Sequence, residues 1–255
     1  MKNQKPLVSI LLPVHNNEKH LEGCVESLLS QSYRNIEVIA IDDKSCDKSL
    51  KLLRQIRKQD KRLKIYKNIK RYGISLTLNR ALKRAKGQFL TVMEATDRCL
   101  TTKIRKQVKF LLENQDISAV GTQCLFIDEK NKKLGKSEFP EKNNNIYSQP
   151  LHGISMQFET LLINKFNLPK DLLKFKANSS PFIYNDLLLK ILPYGKIANL
   201  NEHLHLHRKH PDTYFNDLKK NFASFIKLGI KSIMLYNYRP DFRSLTPIKY
   251  ILPNS

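Results

Sequence analysis

Between Val8 and Ser49 two apolar, β-branched runs, Val8–Leu12 and Ile36–Ile41, flank a segment in which Leu21, Cys24, Val25, Leu28 and Leu29 recur at helical spacing. Strand, helix and strand in that order form a β-α-β unit, whose crossover makes the two strands parallel and turns their carboxyl ends the same way. In an open α/β sheet ligands bind at that edge. The residues displayed there are Pro13, His15 and Asn16 after the first strand, and Asp42 and Asp43 after the second.

The chain continues in the same style. Leu50, Leu53 and Ile56 predict a second helix and Leu63–Tyr66 a third strand; a helix over Ser75–Lys86 is stopped by Gly87. Phe89–Met93 reads as a buried strand whose exit, Glu94 to Arg98, falls at the ligand edge. A helix over Lys103–Glu113 and a strand within Ile117–Ile127 follow. Residues 138–150 have the composition of a mobile surface loop, Met156–Ile163 reads as a strand, Asp186–Leu192 as a helix and His203–His207 as a half-buried strand. Thr213–Tyr236 has the spacing of an amphipathic helix with lysines between its apolar residues, and Arg239–Ser255 reads as an irregular tail.

At 255 residues and 41 % hydrophobic content, one large α/β domain with a tail is expected. No apolar run approaches the roughly 20 residues that span a bilayer, and the amino terminus has no secretory-signal pattern, so the expectation is a soluble, cytoplasmic protein. Cys24, Cys46, Cys99 and Cys124 lack C-x-x-C spacing and read as reduced thiols. The formal charge of +22, from 45 Lys and Arg against 23 Asp and Glu, draws anions. A nucleotide diphosphate, an anionic membrane face and nucleic acid are the candidates, beside a merely solvated lysine surface. The cations are spread along the chain, densest over 44–71, and not interleaved with aromatics, which speaks against nucleic acid.

An ordered set of motifs carries a resemblance: P-x-H-N at 13–16, S-L-L-S-Q-S-Y at 27–33, I-D-D-K-S at 41–45, L-N-R-A-L-K-R-A-K-G-Q-F at 78–89, Y-G-K-I-A-N-L at 194–200 and H-R-K-H at 207–210. Together they resemble the family 2 glycosyltransferases of GT-A fold over about residues 7–212. The resemblance implies a Rossmann-like, mostly parallel sheet flanked by helices. It implies a nucleotide-sugar-binding half over about 7–115, an acceptor half over 116–212, and an amphipathic helix with a basic tail over 213–255.

It also implies roles. Asp43 would read the nucleotide, bordered by Pro13, His15 and Asn16; the bland alternative is that Asp42 and Asp43 cap a helix beginning near Cys46. The family's D-x-D-D pattern at the end of the fourth strand falls on Glu94, Ala95, Thr96 and Asp97, so the position of the Mg²⁺ or Mn²⁺ ligand holds a hydroxyl. Glu94 or Asp97 would then take the metal, or a cation such as Arg98 would replace it. Ungapped alignment puts Ile183 and Tyr184 on the E-D pair whose Asp is the acceptor base, and a two-residue shift would make Asp186 the base. Asp186 serves equally as a carboxylate near a helix start. His207, Arg208 and His210 match a segment that closes over the diphosphate, while zinc held by His203, His205 and His207 lacks the usual Cys or acidic partners. The expected activity is inverting transfer of a sugar, most readily from a UDP sugar, to a saccharide or lipid-linked acceptor in cell-envelope glycan synthesis. Attachment to the inner face of an anionic membrane through 213–255 is a further expectation. The alternatives are a non-catalytic relative that binds nucleotide sugar or glycan, or partners an active transferase, and, more weakly, an RNA-binding protein.

Overall fold

Alternation of fully buried strands with one-faced helices produces a single sheet covered on both sides. The computed structural model describes residues 5–150, 155–208 and 219–240. Strands β1 (Val8–Val14), β2 (Ile36–Asp42), β3 (Leu63–Lys67) and β4 (Phe89–Val92) alternate with helices α1 (Leu21–Leu29), α2 (Ser49–Gln59) and α3 (Ile74–Leu82). They pair in parallel in the order β3-β2-β1-β4. The second half adds β5 (Arg98–Cys99), α4 (Lys103–Glu113), β6 (Ile117–Ile127), β7 (Lys133–Lys136), α5 (Asn143–Ser148), β8 (Leu162–Asn164), α6 (Ile183–Ile191), β9 (Lys196–His207) and α7 (Phe222–Tyr236). The sheet continues from β4 through β8, β6 and β9 to β5, with β7 beside β6; β6 and β9 are parallel and β8 runs antiparallel to both its neighbours.

Period-2 geometry divides the core. Leu11, Ile39 and Ile41 face α3 and α6, whereas Ile10, Leu12, Val38 and Ala40 face α1, α2 and α4. Because β1 and β2 are buried on both faces they read as continuous apolar runs, as parallel strands do. At the amino-terminal edge Gly87 passes so close to β1 that a Cβ there would lie 2.6 Å from the Leu7 carbonyl oxygen. Its N–H donates to Ser9 Oγ at 2.8 Å.

Three local expectations are corrected. Residues 138–150 are not merely a loop: Phe139 and Ile146 are buried, and burying them folds 143–148 into a short helix. Met156–Ile163 is not one strand, because Phe158–Thr160 forms a helical turn, closed by Thr160 Oγ1 donating to the Gln157 carbonyl at 2.6 Å, before β8 begins. The α6 helix starts three residues earlier than its apolar spacing suggested and buries all nine of its residues. Residues 213–218 of the expected amphipathic helix, and 241–255 of the tail, lie outside the described residues. The remainder, α7, packs Leu228 and Ser232 inward against α6, and Leu228 and Tyr238 join the α3 side of the core.

Candidate functional site

The carboxyl ends of β1, β2 and β4 converge on one cleft of about 340 Å³, lined by Pro13, His15, Asn17, Asp43, Arg71, Gly73, Thr77, Glu94, Ala95, Thr96 and Arg208. Register brings them together: β1 pairs with β2 on one side and β4 on the other, so their exits are neighbours.

Asp43 is the hub of one wall. Its Oδ1 accepts from Asn68 Nδ2 at 2.6 Å and from the Tyr72 N–H at 2.8 Å, and its Oδ2 accepts from the Gly73 N–H at 2.8 Å. Burial resists the charge, but these donors hold the carboxyl below its ordinary range. Asp43 thereby shapes the loop that enters α3, where Gly73 adopts a φ of 80° that suits glycine. Neither Asp42 nor Asp43 caps a helix: Asp42 accepts from the Ser45 N–H in the turn before α2, and the Ser49 N–H that opens α2 donates to Asp47. His15 donates from Nδ1 to the Asp43 carbonyl at 2.9 Å, a contact that leaves Nε2 unprotonated in the neutral ring. Asn16, at φ 52°, is exposed and does not line the cleft. Its Oδ1 accepts from the Cys46 N–H at 2.9 Å and its N–H donates to Ser45 Oγ, which ties the β1 exit to the β2 exit.

The opposite wall is the β4 exit. Glu94 and Thr96 face the cleft, whereas Asp97 is fully buried behind them. Asp97 Oδ2 accepts from His205 Nε2 at 2.9 Å and His207 Nδ1 at 2.7 Å, and its Oδ1 from the Arg208 N–H at 2.9 Å. Burial disfavours the Asp97 charge, but His207 and the histidine hydrogen bonds outweigh it and keep the carboxylate ionised. His207 pays the same burial penalty, yet Asp97 raises it to about 9; burial and then Lys103 push His205 down to about 4. Lys103, 2 % exposed, completes the network by donating to the Glu159 carbonyl at 3.0 Å and approaching His205 Nδ1 at 3.3 Å.

Several expected site residues lie elsewhere. The Arg98 guanidinium sits about 3.5 Å from where a Cβ on Gly23 would be, over α1, outside the cleft lining. His207 backs the cleft from behind, and His210 lies outside the described residues. Asp186 is fully buried at the α6–α7 contact, where it pairs with Lys190 and Lys231 and accepts from Tyr236 Oη at 2.8 Å. A carboxylate with no exposure and three donors is not placed to meet an acceptor hydroxyl, which corrects the expectation that it is the base. Tyr184 is buried too, stacked on Phe158 at 4.8 Å between ring centroids, and burial pushes its phenol well above its ordinary range.

Some residues of the site carried little sequence signal. Arg71 and Gly73 stand in a polar loop, where the lone glycine before an amphipathic helix was the available cue. Lys103 reads as a solvated helix residue; only tertiary packing buries it.

A divalent cation on a diphosphate takes oxygen ligands, commonly carboxylates. Here position 96 is a hydroxyl, and the carboxylate of Asp97 is turned away and held by two histidines and a backbone N–H. The Asp97, His205 and His207 ligand atoms lie within 4.8 Å of one another, as a metal site requires. All three are nevertheless buried and absent from the cleft lining, and they already satisfy one another as hydrogen-bond partners at 2.7–2.9 Å. An ammonium stands beside them. The buried group is thus not placed to hold a Mg²⁺ or Mn²⁺ on a diphosphate in the cleft, and of the two expected ligands only Glu94, at the first position of the pattern and not at its metal position, lines it.

Parallel strands ending in an acid-bearing cleft, followed by a mixed second half, define an α/β fold of the GT-A type. The chain belongs to glycosyl transferase family 2, whose family model matches residues 9–168. It is 32 % identical over 160 residues to an uncharacterized glycosyltransferase of Haemophilus influenzae, covering 63 % of either chain. It is 38 % identical over 105 residues to the UDP-Glc:alpha-D-GlcNAc-diphosphoundecaprenol beta-1,3-glucosyltransferase WfaP of Escherichia coli, covering 41 % of either chain. The chain thus spans less than two thirds of these curated relatives. The mannosyltransferase PcManGT of Pyrobaculum calidifontis, solved with GDP-Man and Mn²⁺, shares the fold at a TM-score of 0.71 and 16 % identity, over 98 % of this chain and 70 % of that one.

Proposed function

We propose that this protein takes up a nucleotide diphosphate sugar, most readily a UDP sugar, and passes the sugar to a saccharide or lipid-linked acceptor in cell-envelope glycan assembly, with inversion by a single displacement. The observation that carries the reading is the convergence of Pro13, His15, Asp43, Glu94 and Arg208 on one cleft at the strand ends. Asp43 holds the nucleoside side of that cleft. Arg208 and Arg71 supply positive charge toward the diphosphate, whose charge grows as the sugar leaves. Identity with the UDP-glucose-dependent relative supports the choice of donor. Incubation with radiolabelled UDP sugars and lipid-linked acceptors tests it: the expected result is a labelled glycan product that Asp43→Ala abolishes.

A second reading is favoured by Tyr184. With a buried phenol at the base position and Asp186 locked in ion pairs, the chain would bind nucleotide sugar or glycan without transferring the sugar, or partner an active transferase. Saturable UDP-sugar binding with neither transfer nor hydrolysis is the outcome that selects this reading.

Peripheral attachment to an anionic membrane belongs to the same proposal. No helix among the described residues is long and apolar enough to cross a membrane. The attachment would run through α7, whose outer face exposes Ile226, Ile230, Ile233 and Met234.

A further inference from the structure

Arg208 is 7 % exposed and lines the cleft, yet its guanidinium meets no carboxylate among the described residues. Its Nε donates to the Thr96 carbonyl at 2.9 Å, one terminal nitrogen donates to the Asp128 carbonyl, and the other to Asn131 Oδ1 at 2.5 Å. All three acceptors are neutral oxygens. Asp97 is reached only by the Arg208 backbone N–H and already accepts from His205 and His207.

A buried cation without a counter-ion is costly, and proteins retain one where an anion completes it. Three hydrogen bonds use three of the five guanidinium protons, so one remains on each terminal nitrogen for a further acceptor. The side chain is also anchored on residue 96, the position at which the family resemblance implies a carboxylate for metal. Charge and ligand set therefore agree, since the position that lacks a carboxylate carries a fixed guanidinium.

We infer that Arg208 replaces the divalent cation in this chain: a nucleoside diphosphate is its counter-ion, and Thr96 makes donor binding independent of metal. The inference rests on the donor-binding reading above. A threonine suits this arrangement because an aspartate beside Arg208 would pair with it and repel the diphosphate, so that a metal would be needed to bridge the two anions.

Calorimetric titration of the full chain with UDP, and in parallel with GDP, tests this in excess Mn²⁺ and in EDTA. The expected result is a nucleotide dissociation constant that differs by less than about twofold between the two conditions. Thr96→Asp is expected to bind about tenfold more weakly in EDTA and to recover in Mn²⁺. Arg208→Gln, which keeps an amide donor and removes the charge, is expected to weaken binding about tenfold in both. Wild-type binding that falls about tenfold in EDTA overturns the inference and leaves the donor reading intact. A Thr96→Asp protein that matches the wild type in both conditions also overturns it. Absence of binding by either nucleotide in either condition overturns the donor reading itself. Should Arg208→Gln lose its cooperative thermal transition, the partly exposed Thr96→Asp site decides the matter.

Discussion

At the scale of single residues, Asp43 does two jobs with one carboxylate. It borders the cleft and accepts from two consecutive backbone N–H groups, at Tyr72 and Gly73, so the loop before α3 keeps its shape only while a charged acceptor is present. Hydrogen bonds to a charged group contribute about 1.5–3 kcal/mol each, and an amide in place of the acid offers one acceptor oxygen where the carboxylate offers two. Asp43→Asn is accordingly expected to weaken UDP binding at least about tenfold and to speed hydrogen exchange at the Tyr72 and Gly73 amides. Unchanged exchange at both amides would show that the loop holds itself. This residue was legible in the sequence because a strand end puts it at the ligand edge whatever the tertiary packing. Arg98 and Asp186 were not, because their side-chain directions are decided by α1 and α7, elements distant in sequence from either residue.

At the scale of elements, local periodicity located α4 to the residue and a strand within the span that β6 fills, since both have one-faced or fully buried patterns set by adjacent positions. It failed over Met156–Ile163, where the buried polar side chains of Gln157, Glu159 and Thr160 find partners only by leaving the extended conformation. Helix α7 poses a different problem, for it is apolar on two faces. Leu228 and Ser232 face α6, while Ile226 is 40 %, Ile230 55 %, Ile233 50 % and Met234 74 % exposed on the opposite side. At 100° per residue these four fall within an arc of about 100°, the width of a core-facing stripe, with Lys227 at its border. Such a face, on a chain of charge +22, suits the interface of an anionic bilayer. Flotation with vesicles containing phosphatidylglycerol is expected for the wild type, and about a tenfold smaller bound fraction for Ile230→Glu with Met234→Glu. Equal flotation of the variant would detach α7 from any membrane role, and a concentration-dependent dimer lost in the variant would assign the stripe to a second copy of the chain.

At the scale of the whole molecule, the cleft floor is a charge network that staples distant parts of the chain. Asp97 precedes β5, Lys103 lies on α4, Glu159 lies in the turn before β8, and His205 and His207 end β9. The two histidines titrate in opposite senses, so the fold should have a stability optimum. His207, raised to about 9 from an unfolded value near 6.5, contributes stability that is complete below about 6.5 and disappears as pH rises through about 9. His205, lowered to about 4, is neutral when folded; below about 6.5 the unfolded chain takes up a proton that the folded chain refuses until about 4, so stability falls with acid. Thermal unfolding followed by circular dichroism is therefore expected to peak near pH 6.5 and decline toward both 5 and 9. The alkaline limb is the diagnostic one. The exposed lysines and arginines behind the net charge of +22 stay protonated from pH 7 to 9, so a Tm that falls over this range requires a group whose protonated form the fold prefers. His207→Gln is expected to flatten Tm between pH 7 and about 8, below the range where the thiols of Cys24, Cys99 and Cys124, also raised by burial, add to the decline, while retaining the acid limb set by His205. A wild-type Tm that climbs steadily to pH 9 would mean that His207 is neutral beside Asp97, leaving Lys103 as the cation that balances the cleft floor.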